Sequence, residues 1–173
     1  LPCFHCPADE RDAVTRIGIT GHSNLTGNSA QVVRGALADA LAPYSDGELV
    51  GISCLARGAD QLFASAVLEA GGRVEVVLPS ADYRENKVKP HERDSFDELL
   101  IRADSVRYMP HRSAGRAAYE AANRTLMSQA DRLFAVWDGQ PADGHGGTGD
   151  AVETARQRGL PVEVIWPDGV RRG

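Results

Sequence analysis

The chain is poor in cysteine, lysine, aromatic residues and long apolar runs, and these shortages exclude several classes of protein. Its 173 residues include three cysteines, too few for a disulfide framework. No apolar run approaches the roughly 18 residues that a membrane-spanning helix needs. No cationic stretch followed by an apolar segment opens the chain, so we expect a cytoplasmic protein with no membrane partner.

Charge is spread along the chain and not concentrated in blocks. The net charge is −5, and no run of basic residues is long enough to follow a phosphate backbone, which argues against nucleic acid as a partner. Lys87 and Lys89 are the only lysines, so 17 of the 19 basic residues are arginines. Anion recognition is therefore expected to use guanidinium groups, which bind phosphate through paired hydrogen bonds.

The composition is that of an ordinary globular protein, and strand and helix patterns alternate along it. Hydrophobic residues make up 42% and charged residues 25%, which excludes a disordered chain. Periodicity predicts strands at 16–20, 48–53, 74–78, near 106, 133–137 and 162–166. It predicts helices at 29–42, 59–70, 95–103, 117–130 and 149–158. The charged segment 80–93 is expected to be a long loop or lid.

This alternation is typical of a parallel sheet covered by helices on both faces. We therefore expect an α/β fold, a three-layer, Rossmann-like, doubly wound sheet of about six strands in the order 3-2-1-4-5-6. Residues 16–167 would form a single domain, with residues 1–15 as a lead-in and 168–173 as a C-terminal tail. Polar, glycine-rich loops follow strands one, two and five, and ligands of such sheets bind beyond the carboxyl ends of the strands.

The first of these loops carries the sequence T-G-H-S at positions 20–23. Gly21 permits close backbone approach, and a hydroxyl, an imidazole and backbone N–H groups follow it. The spacing from Gly21 to Gly27 and the lack of a following lysine exclude a Walker A loop, and there is no G-x-G-x-x-G run. The loop is either a phosphate cradle or a tight turn with Ser or Asn capping.

The second loop places Arg57 and Gly58 between a strand and a helix, where the guanidinium or the helix N-terminal amides could hold an anion. Asp60 lies in the first turn of that helix and could contact a ligand or complement the helix dipole. In the helix before strand five, Asn123 and Arg124 either have a side-chain function or belong to a solvated face.

The third loop, G-H-G-G-T-G-D at 144–150, precedes another helix and is called the glycine loop below. Its glycines allow backbone contact with a ligand, and Thr148 could cap the helix or bind phosphate. Asp150 and Glu153 are three residues apart, which puts two carboxylates on one helix face near its start, where they could meet a sugar. The alternative is a flexible loop with a capped helix.

Cys3, His5 and Cys6 resemble half of a zinc or redox site, but the second pair of ligands at matching spacing is missing. Cys54 is expected to be a small buried filler, because no partner base is identifiable. We therefore expect no metal and no cofactor.

With the three loops assembled, residues 16–167 resemble the SLOG superfamily, which includes DprA, the Lonely guy phosphoribohydrolases, molybdenum cofactor carriers and YpsA-like proteins. S-C-L-A-R-G-A-D at 53–60 is similar to the S-G-L-A-R-G-I-D segment of DprA, with Cys54 in place of a glycine. T-G-H at 20–22 is similar to the loop of YpsA-like members, with Ser23 where an arginine often stands. Arg124 resembles the arginine before strand five in the phosphoribohydrolases.

The third loop resembles the P-G-G-x-G-T-x-x-E motif of the phosphoribohydrolases in part. Aligning Gly147 and Thr148 with the motif's G-T places Ala151 on its glutamate, so the catalytic acid of those enzymes is not carried over. The resemblance implies binding of a nucleotide or nucleotide-derived ligand.

The leading hypothesis is a sensor or carrier that binds a nucleoside phosphate or sugar phosphate. The alternatives are an N-glycosidic phosphoribohydrolase acting on nucleoside monophosphates, with Asp150 or Glu153 as its catalytic carboxylate, and DprA-like binding of single-stranded DNA. The sequence leaves enzymatic activity and homo-oligomerisation open. The predicted ligand-binding residues are Thr20, Gly21, His22, Ser23, Arg57, Gly58, Asp60, Asn123, Arg124, Gly146, Gly147 and Thr148.

Overall fold

A six-stranded sheet with helices on both faces forms the protein in a computed structural model that describes residues 13–141 and 146–173. The strands are β1 (Val14–Gly21), β2 (Glu48–Ser53), β3 (Arg73–Leu78), β4 (Ser105–Tyr108), β5 (Arg132–Val136) and β6 (Val162–Val164). The helices are α1 (Gly27–Leu41), α2 (Ala59–Glu69), α3 (Tyr83–Lys87), α4 (Arg93–Arg102), α5 (Arg116–Gln129) and α6 (Thr148–Gln157), with short 3-10 helices at Ala42–Tyr44 and Pro90–Glu92.

All strand pairs are parallel, and two hydrophobic cores lie on opposite faces of the sheet. One core contains Leu37 of α1, Phe63 of α2 and Phe96 of α4. The other contains Leu126 of α5 and Ala155 of α6. Helices cover both faces, and the buried stretches of the central strands are almost entirely apolar. The three-layer, doubly wound α/β class expected from the sequence is confirmed.

The strand order is β4-β3-β2-β1-β5-β6, which differs from the expected order 3-2-1-4-5-6 in the position of β4. All four residues of β4 are exposed, whereas four of the five residues of β5 are buried. A strand beside β1 is covered on both faces and must be apolar, so β5 takes that place. The polar sequence of β4 suits the edge of the sheet.

A topological switch point lies between β1 and β5. From β1 the chain runs outward to β4 through α1, α2 and α4 on one face, and α5 then returns along the other face to β5. The connections that leave β1 and β5 therefore pass to opposite faces of the sheet. This divergence opens a crevice at the carboxyl ends of the two strands, where ligands of such folds bind.

The segment 80–93 is folded against the core, so its prediction as a long loop or lid was wrong. It contains α3 and a 3-10 helix. Tyr83 and Val88 are 6% and 8% exposed, and the Tyr83 ring lies 6.0 Å from that of Phe96. The many charged residues of this segment masked the two apolar side chains that anchor it.

Within the described residues, no helix has both the length and the apolar composition needed to cross a bilayer. The predicted half-site of Cys3, His5 and Cys6 lies outside the described residues, as do Gly144 and His145.

Candidate functional site

The loops after β1, β2 and β5 meet at the carboxyl edge of the sheet, and His22 joins them. Its backbone N–H donates a hydrogen bond to the carbonyl oxygen of Val136 at the end of β5 (3.0 Å). Its own carbonyl oxygen accepts one from the N–H of Ala59 at the start of α2 (3.2 Å). The backbone of one residue thus fixes the β1–α1 loop against both neighbouring elements.

A cleft of about 330 Å³ opens between these loops. Asn24, Ala56, Gln140 and Arg172, which the sequence did not single out, contribute to its lining. The predicted site residues that line it are Thr20, Gly21, His22, Ser23, Asp60, Asn123, Gly146, Gly147 and Thr148. The structure therefore brings nine of the twelve predicted ligand-binding residues to one cleft.

Two glycines of the site are required by the packing of the protein itself. A Cβ on Gly21 would lie 2.5 Å from Cβ of Ala59. Gly58 has φ +83°, and a Cβ there would lie 2.6 Å from the carbonyl oxygen of His22. These glycines let the start of α2 approach the β1–α1 loop, and only glycine adopts the Gly58 conformation without strain.

The imidazole of His22 is buried in the wall of the cleft. Its Nε2 lies 3.1 Å from Oδ1 of Asp138 and accepts a hydrogen bond from the Asp138 backbone N–H at 3.2 Å. The Trp166 ring packs edge-on, 5.5 Å away. Burial lowers the pKa of His22 below its ordinary value, although the bond to Asp138 opposes that shift, so the ring is neutral at pH 7.

Asp60 is a buried carboxyl in the same cleft. The residue is 7% exposed, and its Oδ2 accepts a hydrogen bond from the N–H of Ala56 at 3.3 Å. Within the described residues, Oδ1 accepts no hydrogen bond. Burial raises the pKa of Asp60 to about 7, and the single backbone hydrogen bond offsets this only in part. A carboxyl that titrates near neutrality at a cleft is typical of functional sites.

The β2–α2 loop is held in a strained conformation beneath Asp60. Leu55 is fully buried with φ +52°, a region that costs a branched residue on the order of 1–2 kcal/mol. Its N–H donates to Oγ of Ser53 (3.0 Å), and its carbonyl oxygen accepts from Nε2 of Gln61 (3.1 Å). The two hydrogen bonds maintain the turn that brings Ala56 to the cleft.

Helix α6 points its N-terminus at the cleft. Gly147 is the N-cap and supplies no side chain, so Thr148 does not serve as the cap. The Asp150 carboxylate accepts a hydrogen bond from the N–H of Gly146 at 2.6 Å. Asp150 therefore holds Gly146, the residue before the N-cap, and no side chain among the described residues caps the first-turn amides of α6.

Asp150, Glu153 and Arg124 do not line the cleft. They line an adjoining groove of about 430 Å³ between α5 and α6, which shares Asn123, Gly146, Gly147 and Ala151 with the cleft. The two predicted catalytic carboxylates and Arg124 are thus together, in the groove that adjoins the cleft.

Arg57 and Gly58 line a third groove, of about 410 Å³, against α2 and α4. Nε of Arg57 lies 3.3 Å from Oε1 of Glu92, and 55% of the Arg57 side chain is exposed. The structure places this arginine outside the cleft, in a surface ion pair.

Arg172 is the cation at the cleft that sequence reasoning missed. Its Nε donates to Oδ1 of Asn24 at 3.2 Å, and its Nη1 lies 3.4 Å from Oδ2 of Asp138. The segment 168–173 was assigned to a tail because it follows the last strand and is polar. No local pattern connects it to the β1–α1 loop, which is adjacent only in three dimensions.

Comparison with solved structures identifies the fold. DNA processing protein A (DprA) from Streptococcus pneumoniae matches with a TM-score of 0.66 and 19% identity, over 90% of this chain and 52% of that one. DprA from Helicobacter pylori, whose structure addresses its single-stranded DNA binding mode, matches with a TM-score of 0.65 and 20% identity, over 90% and 66%. The chain thus has the same Rossmann-like fold as these DNA processing proteins.

The fold also matches a protein that is named for binding the molybdenum cofactor. The molybdenum cofactor binding protein from Rippkaea orientalis matches with a TM-score of 0.57 and 17% identity, over 92% of this chain and 80% of that one. The chain spans about half of the Streptococcus protein and 66% of the Helicobacter protein. No protein-family model matches the chain, and no curated protein matches it by sequence. These matches confirm the Rossmann-like fold that the resemblance in the sequence implied.

Proposed function

We propose that the protein binds a nucleotide or a nucleotide derivative, such as a nucleoside phosphate or sugar phosphate, in the cleft between β1 and β5. The observation that carries this proposal is the convergence of nine predicted ligand-binding residues with the N-terminus of α6 at the topological switch point. Nucleotides bind at this position in doubly wound folds. The volume of about 330 Å³ lies at the lower end of the range for small-molecule sites, roughly 300–1,000 Å³.

The anionic part of the ligand would lie at the start of α6. No side chain in the described part of the chain caps this helix, so its first-turn backbone N–H groups can bind phosphate oxygens beside the Thr148 hydroxyl. The helix dipole favours a negative charge at the same point.

Two polar side chains, the buried Asp60 and the partly buried Asn123, would recognise the remainder of the ligand. Asp60 and Asn123 line the cleft beyond the α6 N-terminus, and Oδ1 of Asp60 is available to a hydroxyl or N–H donor. A ligand that satisfies a buried carboxyl gains specificity, because an analogue without the donor leaves that carboxyl unpaired.

A pair of tryptophan variants tests the location and the chemistry together. Ser23 lines the cleft and also the neighbouring groove that holds Arg57, whereas Ser45 is exposed before β2, at the opposite edge of the sheet. Purified wild type is denatured and the released compounds are identified by mass spectrometry, and AMP, GMP, CMP and UMP are then titrated by calorimetry. We expect wild type and Ser45→Trp to bind a phosphorylated nucleoside and Ser23→Trp to lose it. Equal binding by both variants would overturn the proposed site.

A second candidate function is N-glycosidic hydrolysis of nucleoside monophosphates. It is favoured by the groove between α5 and α6, where Glu153 and Asp150 lie together with Arg124. We rank it below binding because the Asp150 carboxylate is already bonded to the glycine loop. Incubation with each monophosphate, followed by chromatography for free base, decides between the two. Base release that Glu153→Gln abolishes and Arg158→Gln preserves would establish the hydrolase.

Single-stranded DNA is the third function that the sequence left open, and the Helicobacter protein of the same fold is described as binding it. The net charge of −5 provides little general attraction for a polyanion. A single-stranded oligonucleotide is therefore included in the titrations, and tighter binding of it than of any mononucleotide would replace the leading proposal.

A further inference from the structure

Residues 168–173 pack along the β1–α1 loop. The N–H of Thr26 donates to the carbonyl oxygen of Arg171 (3.2 Å), and the N–H of Arg171 donates to Oγ of Ser29 (2.8 Å). Leu25 and Arg172 form an antiparallel bridge. Val170 is 7% exposed and belongs to the core on the α1 face. The side-chain amide of Asn24 donates to the carbonyl oxygen of Gly173 (3.0 Å), so the segment is anchored on both sides of Arg172.

These anchors hold the guanidinium of Arg172 at the rim of the cleft. Nε donates to Oδ1 of Asn24 and Nη1 faces Oδ2 of Asp138, so two of its three nitrogens have fixed partners. Among the residues that the structure describes, Nη2 has no hydrogen-bond partner. The side chain is 39% exposed and lines the cleft, so a ligand oxygen can reach it.

Arg172 is also the only permanent cation among the described residues that line the cleft. The other basic side chain there is His22, which burial keeps neutral at pH 7. Asp138 is balanced by Arg172 itself, at 3.4 Å. An anionic ligand at the α6 N-terminus would therefore find one guanidinium, and it belongs to Arg172.

We propose that Arg172 binds the anionic group of the ligand and that the packed segment 168–173 positions it for this task. The inference rests on the proposed function and extends it by naming the residue that distinguishes phosphorylated from unphosphorylated ligands. The sequence suggested Arg57 for this role, but Arg57 lines the groove against α2 and α4 and not the cleft.

The adjacent arginine provides a matched control. Arg171 and Arg172 are both exposed, but Arg171 contributes its backbone to the packing and does not line the cleft. Arg171→Gln and Arg172→Gln therefore remove the same charge one residue apart. Arg172→Lys retains a cation without the planar guanidinium. Melting temperatures within a few degrees of wild type show that each variant is folded.

The variants are titrated by calorimetry with AMP, GMP, CMP and UMP and with the four matching nucleosides. We expect Arg172→Gln to weaken the best nucleotide by about 10- to 100-fold, the range for a hydrogen bond to a charged group, and to leave its nucleoside within about twofold. Arg172→Lys should recover part of the loss, and Arg171→Gln and Arg57→Gln should bind as wild type does.

Two results would overturn the inference while the proposed function stands. One is wild-type affinity of Arg172→Gln for the nucleotide, and the other is an equal loss for nucleotide and nucleoside. A loss confined to Arg57→Gln would transfer the role to Arg57. If wild type binds none of the eight compounds, both the inference and the proposed function are rejected.

Discussion

Nε2 of His22 lies 3.1 Å from Oδ1 of Asp138 and 3.2 Å from the backbone nitrogen of the same residue. The two contacts serve different protonation states of the ring. A neutral Nε2 accepts from the backbone N–H, whereas a protonated Nε2 donates to the carboxylate. Asp138 thus supports either form of a histidine that lies in the wall of the cleft.

Replacing Asp138 with Asn should lower the pKa of His22 further. Burial already lowers it, the Asp138 carboxylate raises it, and the charge of Arg172 lowers it. Removing the carboxylate leaves the two lowering effects and retains the backbone N–H. The pKa is measured by NMR titration of the imidazole resonances, assigned with His22→Gln. Asp39 is exposed on α1, so Asp39→Asn is the control and should leave the His22 titration unchanged. A rise of the His22 pKa in Asp138→Asn would contradict this account.

Replacing Asp60 with Asn should stabilise the protein at high pH. The pKa of Asp60 is raised from 3.8 to about 7 in the folded protein. The folded state therefore holds a proton that the unfolded state has lost, so the free energy of unfolding falls as the pH rises from about 4 through 7. At pH 8 the cost is at most about 4 kcal/mol, from about 1.4 kcal/mol per pKa unit.

Urea unfolding at pH 5 and pH 8 measures this effect. The Asn variant should gain stability over wild type at pH 8 and less at pH 5, since its amide does not titrate. A gain that is the same at both pH values would show that Asp60 does not titrate in this range. A buried carboxyl that lowers stability is the kind of feature retained for function.

Replacing Gly58 with Ala should disrupt the site more than the same change at Gly71. Both glycines have positive φ, +83° and +81°. A Cβ at position 58 would lie 2.6 Å from the His22 carbonyl oxygen, whereas nothing lies within 4 Å of one at position 71. Gly71→Ala should lower the free energy of unfolding by about 1–2 kcal/mol because of backbone strain alone, and Gly58→Ala should lower it more. Chemical denaturation gives both free energies, and equal losses would rule out close packing of Gly58 against the β1–α1 loop.

Replacing Asp150 with Ala should release the glycine loop at the start of α6. Its carboxylate accepts a hydrogen bond from the Gly146 N–H, so the change should cost about 1 kcal/mol, as for loss of a helix cap. Glu153→Ala is the control, since its carboxylate bonds only to Gln157 one turn along among the described residues. Amide hydrogen exchange should accelerate at Gly146 in the first variant alone. Unchanged exchange there would mean that Asp150 does not hold the loop.

Much of the fold could be predicted from the sequence, because strand and helix periodicity is local. The apolar runs that became β2 and β5 and the polar loops after β1, β2 and β5 carry their own patterns. Nine predicted ligand-binding residues line one cleft for this reason. The packed segment 80–93 was missed because Tyr83 and Val88 are surrounded by charged residues, which obscured their contribution to the core.

The sequence by itself determined the α/β class and which loops leave the carboxyl ends of the strands, since each depends on neighbouring residues. Only the tertiary structure decided that β4 lies at the edge, that Asp60 is buried, and that Arg57 faces another groove. It also brought Arg172 to Asn24 across 148 positions of sequence. The physical reason is that burial and charge pairing depend on contacts between distant segments, which have no local periodicity.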